Sequence, residues 1–192
     1  MKKNIYEKVE KITYITPPSP VVLVSTVSKE GITNIAPFAM FMMASSRPPM
    51  ITLGISPKSD TFRNICDTKE FVVAFPKKEF INQLYRCGEK LDSKVSEFDY
   101  FNIKSYRSNN IKPFKVADCC VNLECHLNWH QEAGNHYIIC GEVIDADIDD
   151  DIYKLGITNA ELRLGIDSIY HVTDSYFVTE FKKHINVDIE ER

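Results

Sequence analysis

Several familiar signatures are missing from the chain. Its 192 residues contain no G-x-G-x-x-G and no G-x-x-x-x-G-K-[ST], so the main support for a Rossmann turn or a P-loop is gone. There is no G-x-S-x-G either, which removes the nucleophile elbow of the α/β-hydrolases. The six cysteines, at 66, 87, 119, 120, 125 and 140, form no C-x-x-C pair. They are expected to stay reduced and to pack as small hydrophobes. His126 and His130 have the H-x-x-x-H spacing of a helical zinc site, but they fall on a predicted strand. There four residues span about 13 Å, too far for one ion, and no metal site is expected. No basic block occurs and the net charge is −4, so nucleic acid is not an expected partner. No apolar run approaches the ~20 residues of a membrane span. MKKNIYEKVEKITYITPP at the start lacks an apolar segment of signal-peptide length, and a cytoplasmic location is expected. Without repeats, low-complexity tracts or linkers, the reading is one domain over 1–192, with a core of about 15–150 and a C-terminal extension over 151–192.

What is present reads as a soluble β protein. Hydrophobic residues make up 44% and charged ones 26%, an ordinary globular balance. The pattern predicts a short helix over 4–12, ended by Thr16-Pro17-Pro18. VVLVSTV (21–27) is apolar on both faces, as a buried strand should be. Ser28-Lys29-Glu30-Gly31 is a turn. A second strand is expected over 32–41, with Pro37 marking an edge or a bulge because it cannot donate to a ladder. Further strands are expected over 50–56 and 70–76, and helices over 60–68 and 79–87. From Cys119 the odd positions through Trp129 are apolar and the even ones polar, a period-two pattern that predicts a half-buried strand. Residues 132–135 form a turn, 136–148 return as its partner, and 149–151 begin a solvated acidic segment. Many strands at short spacing with few helices indicate a mainly β fold, a barrel with peripheral helices.

The sharpest chemical signal is Ser56-Pro57-Lys58-Ser59-Asp60-Thr61, at the mouth of the 60–68 helix. A phosphate monoester carries about −1.5 to −2 charges and three strong acceptor oxygens. Lys58 can supply charge, Ser56, Ser59 and Thr61 can supply hydroxyls, and the helix start supplies unpaired N–H groups. The plain alternative is that Ser59 or Asp60 only caps the helix. Lys58 and Thr61 are both read as sitting at an exposed helix start. Ser45 and Ser46 precede a rigid Arg47-Pro48-Pro49 turn and can hold hydroxyls of a ligand, although serine-rich turns are common. Asn34, Ala36 and Pro37 would offer backbone groups to a flat ring where Pro37 interrupts pairing. Met40, Met42 and Met43 are read as packing. His136 opens a strand just after a turn; by spacing alone it is a surface histidine.

Taken in order, P-x-V-V-L-V-S-T-V (20–27), G-x-T-N-I-A-P (31–37), S-S-R-P-P (45–49), S-P-K-S-D-T-F-R-N-I (56–65), E-F-V-V (70–73), L-E-C (123–125) and G-N-H-Y-I-I-C-G-E-V (134–143) resemble the flavin reductase-like family. These are the split β-barrels that bind flavin mononucleotide (FMN) and include the flavoredoxins and short-chain flavin reductases. The resemblance runs from about Pro20 to Ile148. It implies a homodimer with non-covalent FMN near the subunit interface, held by Asn34, Ala36, Pro37, Ser45, Ser46, Lys58, Ser59 and Thr61. Lys94 resembles a basic residue of the family that adds phosphate charge. His136 resembles the histidine of a G-D-H pattern on the nicotinamide side, with Asn135 here in place of the acid. The tryptophan many members carry in the second strand is replaced by the segment Phe38 to Phe41.

The implied activity is oxidoreduction, with NADH or NADPH as hydride donor and free flavin, a partner protein or another compound as acceptor. Bound flavin brings the redox chemistry, and the protein orients it. Two further readings stand beside this one: a flavoredoxin-like electron carrier without nicotinamide turnover, and a non-catalytic flavin-binding protein. A pyridoxamine-phosphate oxidase relative would share the architecture, but no extra basic pocket for a second phosphate is evident.

Overall fold

The computed structural model describes residues 16–154, 166, 168–172 and 175–179; the predicted 4–12 helix lies outside them. Its main feature is a seven-stranded antiparallel sheet. The strands are β2 (Val22–Val27), β3 (Thr33–Phe38), β4 (Phe41–Ser46), β5 (Pro49–Ile55), β6 (Glu70–Pro76), β9 (Cys119–Ala133) and β10 (His136–Ile148), in the spatial order β3-β2-β6-β9-β10-β5-β4. Short β1 (Ser19–Pro20), β11 (Ser168–Val172) and β12 (Ser175–Thr179) form a second sheet, and β7 (Ser105–Tyr106) pairs with β8 (Lys115–Val116). Among the described residues four α-helices decorate the strands: α1 (Asp60–Thr68), α2 (Ile81–Arg86), α3 (Glu97–Tyr100) and α4 (Asp150–Tyr153).

The expected strand over 32–41 is two strands. β3 and β4 lie at opposite edges of the sheet, and Ala39 and Met40 carry the chain from one edge to the other. There the Gly54 amide donates to the Met40 carbonyl at 2.8 Å, which extends the β4–β5 ladder by one residue. Pro37 is compatible with this because β3 is an edge strand and pairs only with β2, Leu23 opposite Pro37. Ser45 and Ser46, read as a turn, are instead the end of β4, and a cis Arg47–Pro48 peptide follows them. The 79–87 helix starts as a 3-10 turn at Lys78 and closes at Arg86.

The doubly apolar β2 is explained by two cores, one on each side of the same strands. Val22 and Val24 join Ile51, Leu53, Ile55, Phe71, Val73 and Ile139 inside the barrel. Val21 and Leu23 join Val72, Ala74, Leu84, Phe98, Phe101 and Val116 beneath the helical and loop segment. Inside the barrel, Gly141 is forced by contact: a Cβ built there would sit 2.3 Å from Phe71 Cζ, and Phe71 is fully buried. Gly141→Ala should therefore destabilise the fold by about 1–3 kcal/mol through overpacking. Urea unfolding should show a lower midpoint with an unchanged slope.

The period-two reading of β9 needs correction on its polar face. Asn122 and Glu124 are 2% and 0% exposed, deeper than their odd neighbours Val121 and Leu123. The 104–116 segment covers them. Lys115, itself 1% exposed, places its Nζ 2.8 Å from Glu124 Oε1 and 2.9 Å from Asp147 Oδ2. The Asn109 and Asn110 amides donate to the two Glu124 oxygens at 2.7 and 2.9 Å. On the outer face of the opposite half of the sheet, Met42, Thr52, Cys140 and Trp129 follow one another across β4, β5, β10 and β9. Met40, Met42, Met43, Trp129 and Ile138 are exposed rather than packed. Among the described residues no helix is long and apolar enough to cross a membrane.

Candidate functional site

β5 ends at Ile55 and the chain turns through Ser56–Ser59 into α1. Ser59 holds this turn closed: its amide and hydroxyl both donate to the Ser56 carbonyl, at 3.1 and 2.8 Å. The same hydroxyl oxygen accepts from the Phe62 amide at 3.1 Å, so Ser59 is the N-cap of the helix. The first amides of a helix, here Asp60 and Thr61, have no intrahelical acceptor, and the dipole adds positive potential at that end. Lys58 is exposed just before the cap and has no ion-pair partner among the described residues. Arg63, one turn on, pairs with Asp60.

Beside this helix start runs β3. Asn34 is 7% exposed and uses its whole amide: its Oδ1 accepts from Thr26 Oγ1 at 3.1 Å and Thr61 Oγ1 at 2.9 Å, and its Nδ2 donates to Glu97 Oε1 at 2.8 Å. Asn64 Nδ2 extends the network to Thr26 Oγ1 at 3.0 Å. Thr61 is thus 1% exposed, not part of an exposed helix start, and its hydroxyl proton is committed to Asn34. What Thr61 offers a ligand is its backbone N–H.

The third wall comes from residues 87–97. Together these elements enclose a cleft of about 650 Å³ lined by Asn34, Ala36, Pro37, Ser56, Lys58, Ser59, Asp60, Thr61 and Arg63 on one side, and by Cys87 to Ser93 with Glu97 on the other. Gly88 packs close to Pro37, its ideal Cβ position 3.6 Å from the proline Cγ. Burial pushes the Cys87 thiol up to about 12, with the nearby Glu97 charge adding to it, so this cysteine stays protonated and unreactive. Burial also raises the Glu97 carboxyl, opposed by its own backbone amide and by Asn34. Its Oε2 has no hydrogen-bond partner among the described residues.

Six of the ten residues singled out from sequence (Asn34, Ala36, Pro37, Lys58, Ser59 and Thr61) line this one cleft. The other four lie elsewhere. Lys94 borders a neighbouring hollow of about 480 Å³ with Thr33 and Ser96. Ser45 caps its own turn, accepting from the Arg47 amide at 3.2 Å, and Ser46 ends β4 beside it. His136 opens β10 at the hairpin tip, its Nδ1 2.8 Å from Asn135 Oδ1; the next residue, Tyr137, pairs with Ile55 just before the Ser56 turn. That pairing places His136 at the same end of the sheet as the helix start. The sequence reading passed over Arg63, Lys90 and Glu97. Lys90 and Glu97 reach the cleft only because α2 turns the chain back over β3, and no local pattern encodes this.

A rigid turn, a helix start and an exposed lysine stand together at one end of the β-barrel, a donor set whose chemistry suits an anion. The chain belongs to the flavin reductase-like family: the family model "Flavin reductase like domain" matches residues 16–163. An uncharacterised protein of Aquifex aeolicus is 32% identical over 140 residues, covering 70% of this chain and 71% of that one. Among solved structures, nitrilotriacetate monooxygenase component B of Bacillus cereus superimposes with a TM-score of 0.82 at 22% identity, covering 96% and 95% of the two chains. The flavoredoxin of Desulfovibrio vulgaris (Miyazaki F) does so at 0.81 with 18% identity, covering 98% and 97%. The fold is the split β-barrel of these proteins.

Proposed function

We propose that this chain binds FMN in the β3–α1 cleft and works as an NAD(P)H-dependent flavin oxidoreductase. The observation that carries the reading is the convergence on one cleft of exposed Lys58, the Ser56–Ser59 turn and the first amides of α1, in a chain of the flavin reductase-like family. The donors suit a phosphate monoester: charge from Lys58, two N–H groups from Asp60 and Thr61, and hydroxyl contact from Ser56. Asp60 does not spoil this, because Arg63 neutralises it. Ala36 and Pro37 add a backbone edge along which a flat ring can extend. FMN, when held there, supplies the hydride- and electron-accepting chemistry.

The chain itself contributes position. Asn34 ties the helix start to β3, so phosphate donors and strand edge keep a fixed spacing. With Nδ1 of His136 bonded to Asn135 Oδ1, its Nε2 is left for a nicotinamide-side contact. The exposed face of Met40, Met42, Trp129 and Ile138 supports a homodimer, in which a second copy covers it. We place the protein in the cytoplasm, and its electron acceptor is free flavin, a partner protein or another small molecule.

The test is reduction. Protein reconstituted with FMN should lose its yellow colour without oxygen on adding NADH or NADPH. Bleaching only by a reduced protein donor would make the chain a flavoredoxin-like carrier. Failure to bind FMN in excess would overturn the reading.

A further inference from the structure

Glu97 is a carboxylate in an awkward place. It is 7% exposed, one oxygen takes a hydrogen bond from Asn34, and the other is buried with no donor among the described residues. A buried polar atom left unpaired costs free energy, and an unpaired charge costs more. Yet this carboxyl stands in the wall of a cleft whose opposite side gathers positive charge and amide donors. Two hydrogen bonds, Glu97 to Asn34 and Asn34 to Thr61, connect it to the first turn of α1.

We propose that Glu97 is a positioning residue that couples anion binding in this cleft to uptake of one proton by its side chain. The inference rests on the cleft being an anion site, as in the reading above, and adds a regulation to it. Negative charge at the helix start is already felt at Glu97: Asp60, the first residue of α1, opposes its ionisation. A dianion at that place acts in the same sense and with more charge. With the anion bound, the ionised carboxyl faces both burial and a second negative group, and the neutral acid becomes the preferred form.

The charged groups around Glu97 do not cancel this. Asp60 and Arg63 from α1 pair with each other, Lys58 before α1 is the cation that faces the bound anion, and Glu89, Lys90 and Asp92 from the loop after α2 leave one net negative charge. Cys87 at the end of α2 already holds its proton, and no histidine lines the cleft. Asp99, on Glu97's own helix, is exposed. The sign follows. Affinity for a non-titrating anion is highest where Glu97 is protonated and falls as pH rises between its free and anion-bound pKa values. The fall is about tenfold for each unit that the anion raises it.

The experiment uses sulfate, which keeps both charges throughout, and calorimetry in two buffers of different ionisation heat to count protons. Wild-type protein should take up protons as sulfate binds, with a pH maximum. E97Q, which keeps the oxygen that Asn34 bonds, should bind sulfate with no uptake and with pH-independent affinity, tighter than wild type at the alkaline end. Sulfate binding without proton uptake in wild type overturns the proposal even if the variant does not fold, and uptake that persists in E97Q overturns it as well. FMN is titrated in parallel, above its phosphate's second pKa of about 6. FMN binding with no uptake sinks the Glu97 coupling and leaves the flavin reading standing. Glu97-dependent uptake with sulfate in a protein that ignores FMN does the reverse, and binding of neither removes both.

Discussion

Lys115→Met should destabilise the protein by about 3–5 kcal/mol, the cost of leaving a buried charge uncompensated. The substitution keeps the length of the side chain but removes the cation between Glu124 and Asp147. Glu124, fully buried, then keeps only the Asn109 and Asn110 donors, and the 104–116 segment loses its anchor on β9 and β10. Urea unfolding is the measurement, and a loss under 1 kcal/mol would show that the pair contributes little. Lys115→Met with Glu124→Leu should recover only part of the loss, because the two loop amides lose their acceptors.

Burial works against the Glu124 charge, but Lys115 and the loop amides outweigh it and hold the carboxyl below its ordinary range. A depressed carboxyl contributes stability above its unfolded pKa and loses it as pH falls through the folded value. The Glu124 and Asp147 hydrogen bonds hold Lys115 above its ordinary range against burial, so its share is present below the unfolded pKa and is lost at alkaline pH. Wild type should therefore lose stability toward acid more steeply than the double variant.

Lys58→Ala should weaken FMN binding about 10- to 100-fold, the range of a charge-assisted hydrogen bond of about 1.5–3 kcal/mol. Riboflavin, which has no phosphate, should bind the variant and wild type alike. Since Lys58 is exposed and has no ion-pair partner among the described residues, the thermal midpoint of the ligand-free protein should not move. Fluorescence titration of both flavins reads the difference, and an equal loss for FMN and riboflavin would take Lys58 off the phosphate. Lys58 and Thr61 looked equivalent as sequence, two donors at one helix mouth. In the structure Thr61 is a buried bridge to Asn34, so substituting it would disturb fold and site together.

That contrast describes what sequence could and could not tell. The helix over 60–68, the strand over 70–76 and the return strand over 136–148 were readable to the residue, because caps, turns and apolar runs are local. The break at Ala39–Met40 was hidden inside an apolar run, since crossing between sheet edges depends on where the other strands stand. The buried polar face of β9 was hidden because alternation cannot reveal that a loop some ten residues earlier folds over Glu124 with a lysine. The near half of the cleft, residues 34–37 and 56–61, lies within one stretch of chain and was legible, although Arg63 one turn on was passed over. The far half, residues 87–97, joins it only by docking.

The passage of the chain across the barrel seam orders its assembly. Residues 22–55 build two hairpins, β2–β3 and β4–β5, at opposite edges of the sheet, and the sheet unites them only when β6 finds β2 and β10 finds β5, the latter joining Ile55 to Tyr137. Pairings so remote along the polypeptide pay their loop-closure entropy before any contact rewards it, which puts refolding in the millisecond-to-second regime of all-β topologies.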